Sequence, residues 1–117
     1  MGLDQYAYSI KGEEQTEIAY WRKHNRLQGW MEELYRNKGG KEEFNCKDIE
    51  LTLEDLDDLS EAVVNRKLPE TQGFFFGEDS YKSPELLKER EDRDYLFICD
   101  ARQAIRDGNK VIYTCWW

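Results

Sequence analysis

The sequence predicts an α+β domain, a small antiparallel sheet of about three strands packed by about three helices in the order β-α-β-α-loop-α-β. Three observations carry this. Aromatic and β-branched segments stand at both ends of the chain, segments with a helical apolar period lie between them, and Gly, Asn and Pro clusters mark the boundaries. Two distant strands that both need cover make one helix-packed sheet the economical solution, with the terminal strands as neighbours.

Residues 3–10, LDQYAYSI, mix aromatic and small side chains without a helical period, and Lys11-Gly12 ends them; this is the first strand. From Thr16 the period becomes 3.6, with Tyr20, His24, Leu27, Met31 and Leu34 stacking along one face until Asn37-Lys38-Gly39-Gly40 stops the helix. A short strand is expected from Asp48 to Leu51. Thr52-Leu53-Glu54-Asp55 then starts a helix whose buried stripe is Leu56, Leu59 and Val63, with Leu68-Pro69 closing it. A loop runs from Glu70 to Lys82. Ser83-Pro84-Glu85 opens the last helix, with the stripe Tyr95, Ile98, Arg102 and Ile105, and Lys110 to Trp117 has strand chemistry.

With 117 residues the chain reads as a single domain, 1–117, of ordinary size. Only 39% of residues are hydrophobic and 36% are charged, but four Trp, seven Tyr and five Phe supply core area. Three scattered cysteines, Cys46, Cys99 and Cys115, fit neither a disulfide framework nor a metal knuckle, and read as free, mostly buried thiols. His24 is the only histidine, so no metal site is expected. No apolar run is long enough to span a bilayer and the N-terminus lacks a signal-like core; the chain reads as cytoplasmic, with no membrane partner.

A net charge of −8 argues against direct nonspecific nucleic-acid binding, which needs a basic surface. The charge is uneven. Residues 42–61 hold nine acids (Glu42, Glu43, Asp48, Glu50, Glu54, Asp55, Asp57, Asp58, Glu61) against Lys47 alone, whereas residues 1–41 hold seven Lys or Arg and six Asp or Glu.

Three segments are candidates for binding. In Tyr20-Trp21-Arg22-Lys23-His24-Asn25, continuing through Arg26 to Trp30, a helix would place Trp21, Asn25 and Gln28 on one border of the buried stripe and Lys23, Arg26 and Trp30 on the other. Guanidinium beside indole suits a planar anion, and the competing reading is core tryptophans with a solvated cationic face. Gly29 within that helix implies close approach by another backbone element or by a ligand, packing being the commoner reason. In Thr71-Gln72-Gly73-Phe74-Phe75-Phe76-Gly77, three successive phenylalanines cannot all point one way, so at least one, such as Phe75, faces out unless both sides are covered. At the C-terminus, alternation puts Tyr113, Cys115 and Trp117 on one strand face and Thr114 with Trp116 on the other. Catalytic residues are not assignable: His24 reads as a hydrogen-bonded core histidine, Asp4 is the carboxylate to test first, and no nucleophile motif occurs. No phosphate-loop or dinucleotide fingerprint occurs either, so no cofactor is expected.

The opening Met1-Gly2-Leu3-Asp4-Gln5-Tyr6, the Tyr20-Trp21-Arg22-Lys23 and Leu27-Gln28-Gly29-Trp30 stretches, the Thr71 to Gly77 loop and the terminal Trp116-Trp117 together resemble a family of small phage proteins opening MGLDxY. The resemblance implies a phage or prophage origin, and with it a role in host takeover or counter-defence in the host cytoplasm. It implies no activity. The leading expectation is a binding protein holding a small anionic aromatic ligand at Tyr20, Trp21, Arg22, Lys23, Asn25, Trp30, Thr71, Gly73, Phe75 and Trp116. The alternative is an acidic inhibitor of a host nucleic-acid-binding or defence protein, and the third reading is a small enzyme using Asp4 or His24. A homodimer is permitted but not required.

Overall fold

The computed structural model describes residues 3–71 and 80–117. Strands β1 (Asp4–Lys11), β2 (Glu14–Arg22), β3 (Asp48–Leu51) and β4 (Lys110–Trp116) form one sheet in the order β2-β1-β4-β3, with every pair antiparallel. Helices α1 (Asn25–Asn37), α2 (Leu53–Val64) and α3 (Pro84–Arg106) complete the fold, with a short 3₁₀ turn over Ser80–Lys82. The α+β class and the pairing of the terminal strands match expectation. The sheet has four strands rather than three, and the order is β-β-α-β-α-α-β.

The fourth strand corrects the reading of residues 16–22 as helix. Gly12 takes φ +61 and with Glu13 forms a two-residue turn, folding β2 back on β1 as a hairpin closed by Lys11 opposite Glu14. Thr16, Ile18, Tyr20 and Trp21 are strand formers, and here that preference prevails over the apparent helical spacing. The sheet register slips once, Ala7 facing Ala19 but Tyr8 facing Glu17, so Ile18 is the unpaired residue of a bulge. The helix begins only at Asn25, after Lys23 at φ +59 has turned the chain.

Alternation sorts the strands into two faces. Gln5, Ala7, Trp21, Ile49, Leu51, Val111, Tyr113 and Cys115 are buried and join Leu27 and Met31 of α1, Leu56, Leu59 and Val63 of α2, and Phe97, Ile98, Ala101 and Ala104 of α3. The α2 stripe and the facing of Tyr113 and Cys115 are as expected. The α3 stripe is only partly so: Ile98 is buried and Ile105 packs against the core, but the buried set also takes in Asp94, Phe97, Ala101 and Ala104, while Tyr95 is exposed. The starts of α2 and α3 are as expected. Thr52 accepts from the Asp55 amide and Asp55 from the Thr52 amide, a capping box, and the Ser83 hydroxyl accepts from the Leu86 amide with Pro84 in the first turn. Helix α2 ends at Val64, four residues before Leu68-Pro69.

A chain of polar groups runs through this core. Gln5 donates to the His24 carbonyl (3.0 Å) and accepts from the His24 amide (2.8 Å), clamping β1 to the turn between β2 and α1. Its amide also donates to the Tyr113 hydroxyl (2.9 Å), which donates to Gln28 (2.5 Å); Gln28 donates to Cys115 Sγ (3.1 Å), and that thiol donates to the Phe44 carbonyl (3.3 Å). Beside it, Asp94 of α3 accepts from Trp21 Nε1 at one oxygen and lies against His24 Nε2 at the other, both at 2.9 Å. His24 is thus a buried structural residue, as expected. The thiols depart from expectation: Cys115 is buried, but Cys46 and Cys99 are exposed.

Two outcomes follow from the buried polar chain. Asp94→Ala orphans two buried donors at about 1–3 kcal/mol each, so urea unfolding should show a loss of about 3 kcal/mol, against less than about 0.5 kcal/mol for Asp100→Ala on the exposed side of α3. Burial pushes the Cys115 thiol up to about 11 and the Tyr113 hydroxyl well above its ordinary 10.0. Both are held neutral in the fold, so their contribution to stability is complete below pH 9 and is lost as the pH rises through about 11. Urea midpoints across that range should fall, and at neutral pH a thiol reagent should label Cys46 and Cys99 while Cys115 reacts only on unfolding.

Candidate functional site

Beta strand β2 is an edge strand, and its outer edge faces α3. The contact leaves a continuous groove in two parts that share Tyr20, Glu89 and Arg93. One part, about 410 Å³, has the apolar lining Ile18, Ala19, Leu96 and Phe97. The other, about 270 Å³, is lined by Trp21, Arg22, Leu86 and Arg90. The β-bulge contributes Ile18 to the first part. Positions 86, 89, 90 and 93 share one face of α3 by the three-and-four spacing of a helix, so Arg90 and Arg93 reach the strand together.

These two arginines cap the strand edge. Arg93 donates to the Tyr20 carbonyl (2.8 Å), and Arg90 donates to the carbonyls of Lys23 (2.9 Å) and Arg22 (3.4 Å). Burial holds the Arg90 guanidinium below its ordinary pKa, with Asp94 and Glu89 opposing that effect. Arg22 is 60% exposed at the mouth of the groove, 3.9 Å from Asp4. The Tyr20 hydroxyl donates to Asp4 (2.7 Å), and that bond, followed by burial, raises the phenol's pKa. The result is a groove with an apolar end, a cationic end and a tyrosine between them. Glu89 and Asp92 temper the charge.

Of the expected site residues, Tyr20 and Arg22 share one face of β2 and meet Asp4 on β1, whose other neighbour across the sheet is Trp116, 62% exposed. Trp21, one position along the strand, points inward, joins the core and lines the groove only at its floor. The rest do not gather there as predicted. Lys23 lies in the turn and offers its carbonyl to Arg90. Asn25 is buried at the start of α1, and Trp30 is half-buried against the core. Thr71 packs on α1, and Gly73 and Phe75, with the rest of residues 72–79, lie outside the described residues. The two borders expected on a helix from Thr16 do not exist, because Trp21 and Lys23 are not helical. Arg26 serves the fold, donating to the Leu68 carbonyl (2.8 Å) with its guanidinium over the Tyr81 ring.

Arg90 and Arg93 were not among the predicted residues. Their signal was the three-residue spacing within Glu89-Arg90-Glu91-Asp92-Arg93, which in a charged helix is indistinguishable from a solvated face. The acidic block is partly engaged in the fold: Glu42 pairs with Lys47, Asp55 with Lys38 (2.7 Å) and Asp57 with Arg102 (2.8 Å). Burial would raise the Asp55 pKa, but the Lys38 and Thr52 hydrogen bonds outweigh it and lower it. No helix among the described residues is long and apolar enough to cross a membrane.

No protein-family model matches the chain, and no curated protein or solved structure matches it either.

Close approach at Gly29 was expected and is found. A Cβ there would lie 1.8 Å from Thr71 Oγ1 and 3.3 Å from Pro69 Cγ. Gly29→Ala should therefore destabilise the chain although alanine is the better helix former by about 1 kcal/mol. Adding Thr71→Gly should recover part of the loss; thermal melts of the single and double variants check this.

Proposed function

We propose that this chain is a non-enzymatic binding protein that takes a small anionic aromatic ligand, nucleotide-like in character, into the groove between β2 and α3. The observation that supports this reading is the convergence of Arg22, Arg90 and Arg93 beside Tyr20 in a chain of net charge −8. Guanidinium forks suit phosphate or carboxylate oxygens, and a phenol ring with an apolar slot beside it suits a planar ring system. His24 and Asp94 are buried and bonded to the core, so this pair does not reach the groove, where the carboxylates are Glu89 and Asp92. On the resemblance to small phage proteins, such binding would serve host takeover or counter-defence by sequestering a nucleotide signal.

Thermal melts against nucleoside mono-, di- and triphosphates test the reading. At a hundredfold excess over Kd, binding adds about 2.7 kcal/mol, a Tm rise on the order of 10 °C for a domain of this size. Arg22→Ala, at an exposed side chain, should leave the ligand-free Tm near its original value and remove most of the rise, whereas Glu54→Lys with Asp58→Lys should preserve it. A flat response to every phosphate-bearing compound would sink the proposal.

A further inference from the structure

The groove uses one edge of the sheet and leaves its outer face unexplained. We infer that this face docks an extended arginine- or lysine-rich segment of a partner protein, a function separate from the small-ligand groove.

The helices all pack on the opposite side. Strand alternation therefore turns Tyr6 and Tyr8 of β1, Tyr20 of β2, and Ile112, Thr114 and Trp116 of β4 outward. The rings form a connected strip: Tyr6 stacks on Tyr8 with centroids 6.1 Å apart and planes at 12°, and Tyr20 lies 5.1 Å from Tyr6. Carboxylates flank the strip on both sides. Glu17 stands opposite Tyr8 on β2, and Asp48 and Glu50 stand opposite Thr114 and Ile112 on β3. All three are exposed, and among the described residues none has an ion-pair partner. Burial first, and then the neighbouring Glu17, Tyr6 and Asp48, raise the Tyr8 pKa.

Aromatic sheet faces also stack nucleobases, but that mode needs cations to take the phosphates. Here the flanks are acidic, and the face's cations, Arg22 and Lys110, stand at its ends. A second copy of the chain would bring like charges together. Cationic side chains satisfy both features, since guanidinium or ammonium groups lie favourably over tyrosine rings and pair with carboxylates. The spacing constrains the partner further. The row Glu17, Tyr8, Ile112, Glu50 crosses three strand gaps, about 14 Å, which an extended chain covers in about four residues. Basic residues at i and i+4 would meet the two carboxylates, with i+2 on the same side between Tyr8 and Ile112.

The probe is a fluorescein-labelled peptide alternating arginine and serine, followed by anisotropy at low and high salt, with a glutamate-serine peptide and oligo(dT) as comparisons. The arginine peptide should bind, weaken with salt, and lose about tenfold in affinity in Glu17→Lys with Glu50→Lys. Trp116→Ala should weaken it several-fold. Arg22→Ala should leave it intact, and the paired lysine variant should keep any nucleotide-induced Tm rise, so this inference and the groove reading fail separately. Equal binding of the arginine peptide by the lysine variant overturns the inference, as does preference for oligo(dT). So does a dimer by light scattering that buries Trp116 and persists in the lysine variant.

Discussion

The two faces of β1 pose a problem that hydrophobicity alone does not solve. Tyr6 and Tyr8 alternate with Gln5 and Ala7, and apolar burial would turn the tyrosines inward, yet Gln5 and Ala7 are fully buried. A one-residue slip would reverse the strand. What opposes it is the pair of hydrogen bonds from Gln5 to the His24 backbone and the third to Tyr113, which have no counterpart if Gln5 faces out. The same set of contacts fixes β4 through Tyr113 and Cys115, α1 through Gln28, and α3 through Asp94. Five elements thus share one polar core, in which loss of any member leaves its partners desolvated.

The position of the groove follows from that core. Asp94 holds Trp21 and the His24 ring, setting the distance between α3 and the end of β2, and one turn earlier on α3 the chain places Arg90 against the exposed carbonyls of the same strand. Capping an edge strand with arginine removes an invitation to strand pairing. It also gathers cations at the margin of an acidic protein. Net charge therefore describes the protein as a whole poorly at this one place.

Local chemistry made several elements legible: the Thr52 to Asp55 capping box, Ser83-Pro84, and the β-branched terminal strand rest on neighbouring residues and needed no tertiary knowledge. The strand at 14–22 was hidden because Tyr20, His24, Leu27 and Met31 happen to follow three-and-four spacing across a strand, a turn and a helix. Only Gly12 hinted at a hairpin. The α3 stripe was partly misplaced because its innermost residue near the start is a carboxylate, Asp94, which no apolar periodicity selects. Within the site, Tyr20 and Arg22 were found through the company of aromatic and cationic residues in sequence. Arg90 and Arg93 come from about seventy residues away, and their role depends on a helix-to-strand contact that only the fold supplies.

An uncovered aromatic face would ordinarily be an aggregation hazard, and the ways this sheet limits it narrow what the face can accept. The edge strand β3 has four residues, β2 is capped by arginines, and Glu17, Asp48 and Glu50 stand beside the rings. Short edges and flanking charge discourage self-pairing. Those charges are of one sign, which on the proposed docking would disfavour a second copy and nucleic acid alike. On that proposal the selectivity of the face would come from its rim and its affinity from its rings. Tyr20 stands where rim, rings and groove meet, its hydroxyl bonded to Asp4 and its carbonyl to Arg93, so that the aromatic surface and the cationic groove share one strand.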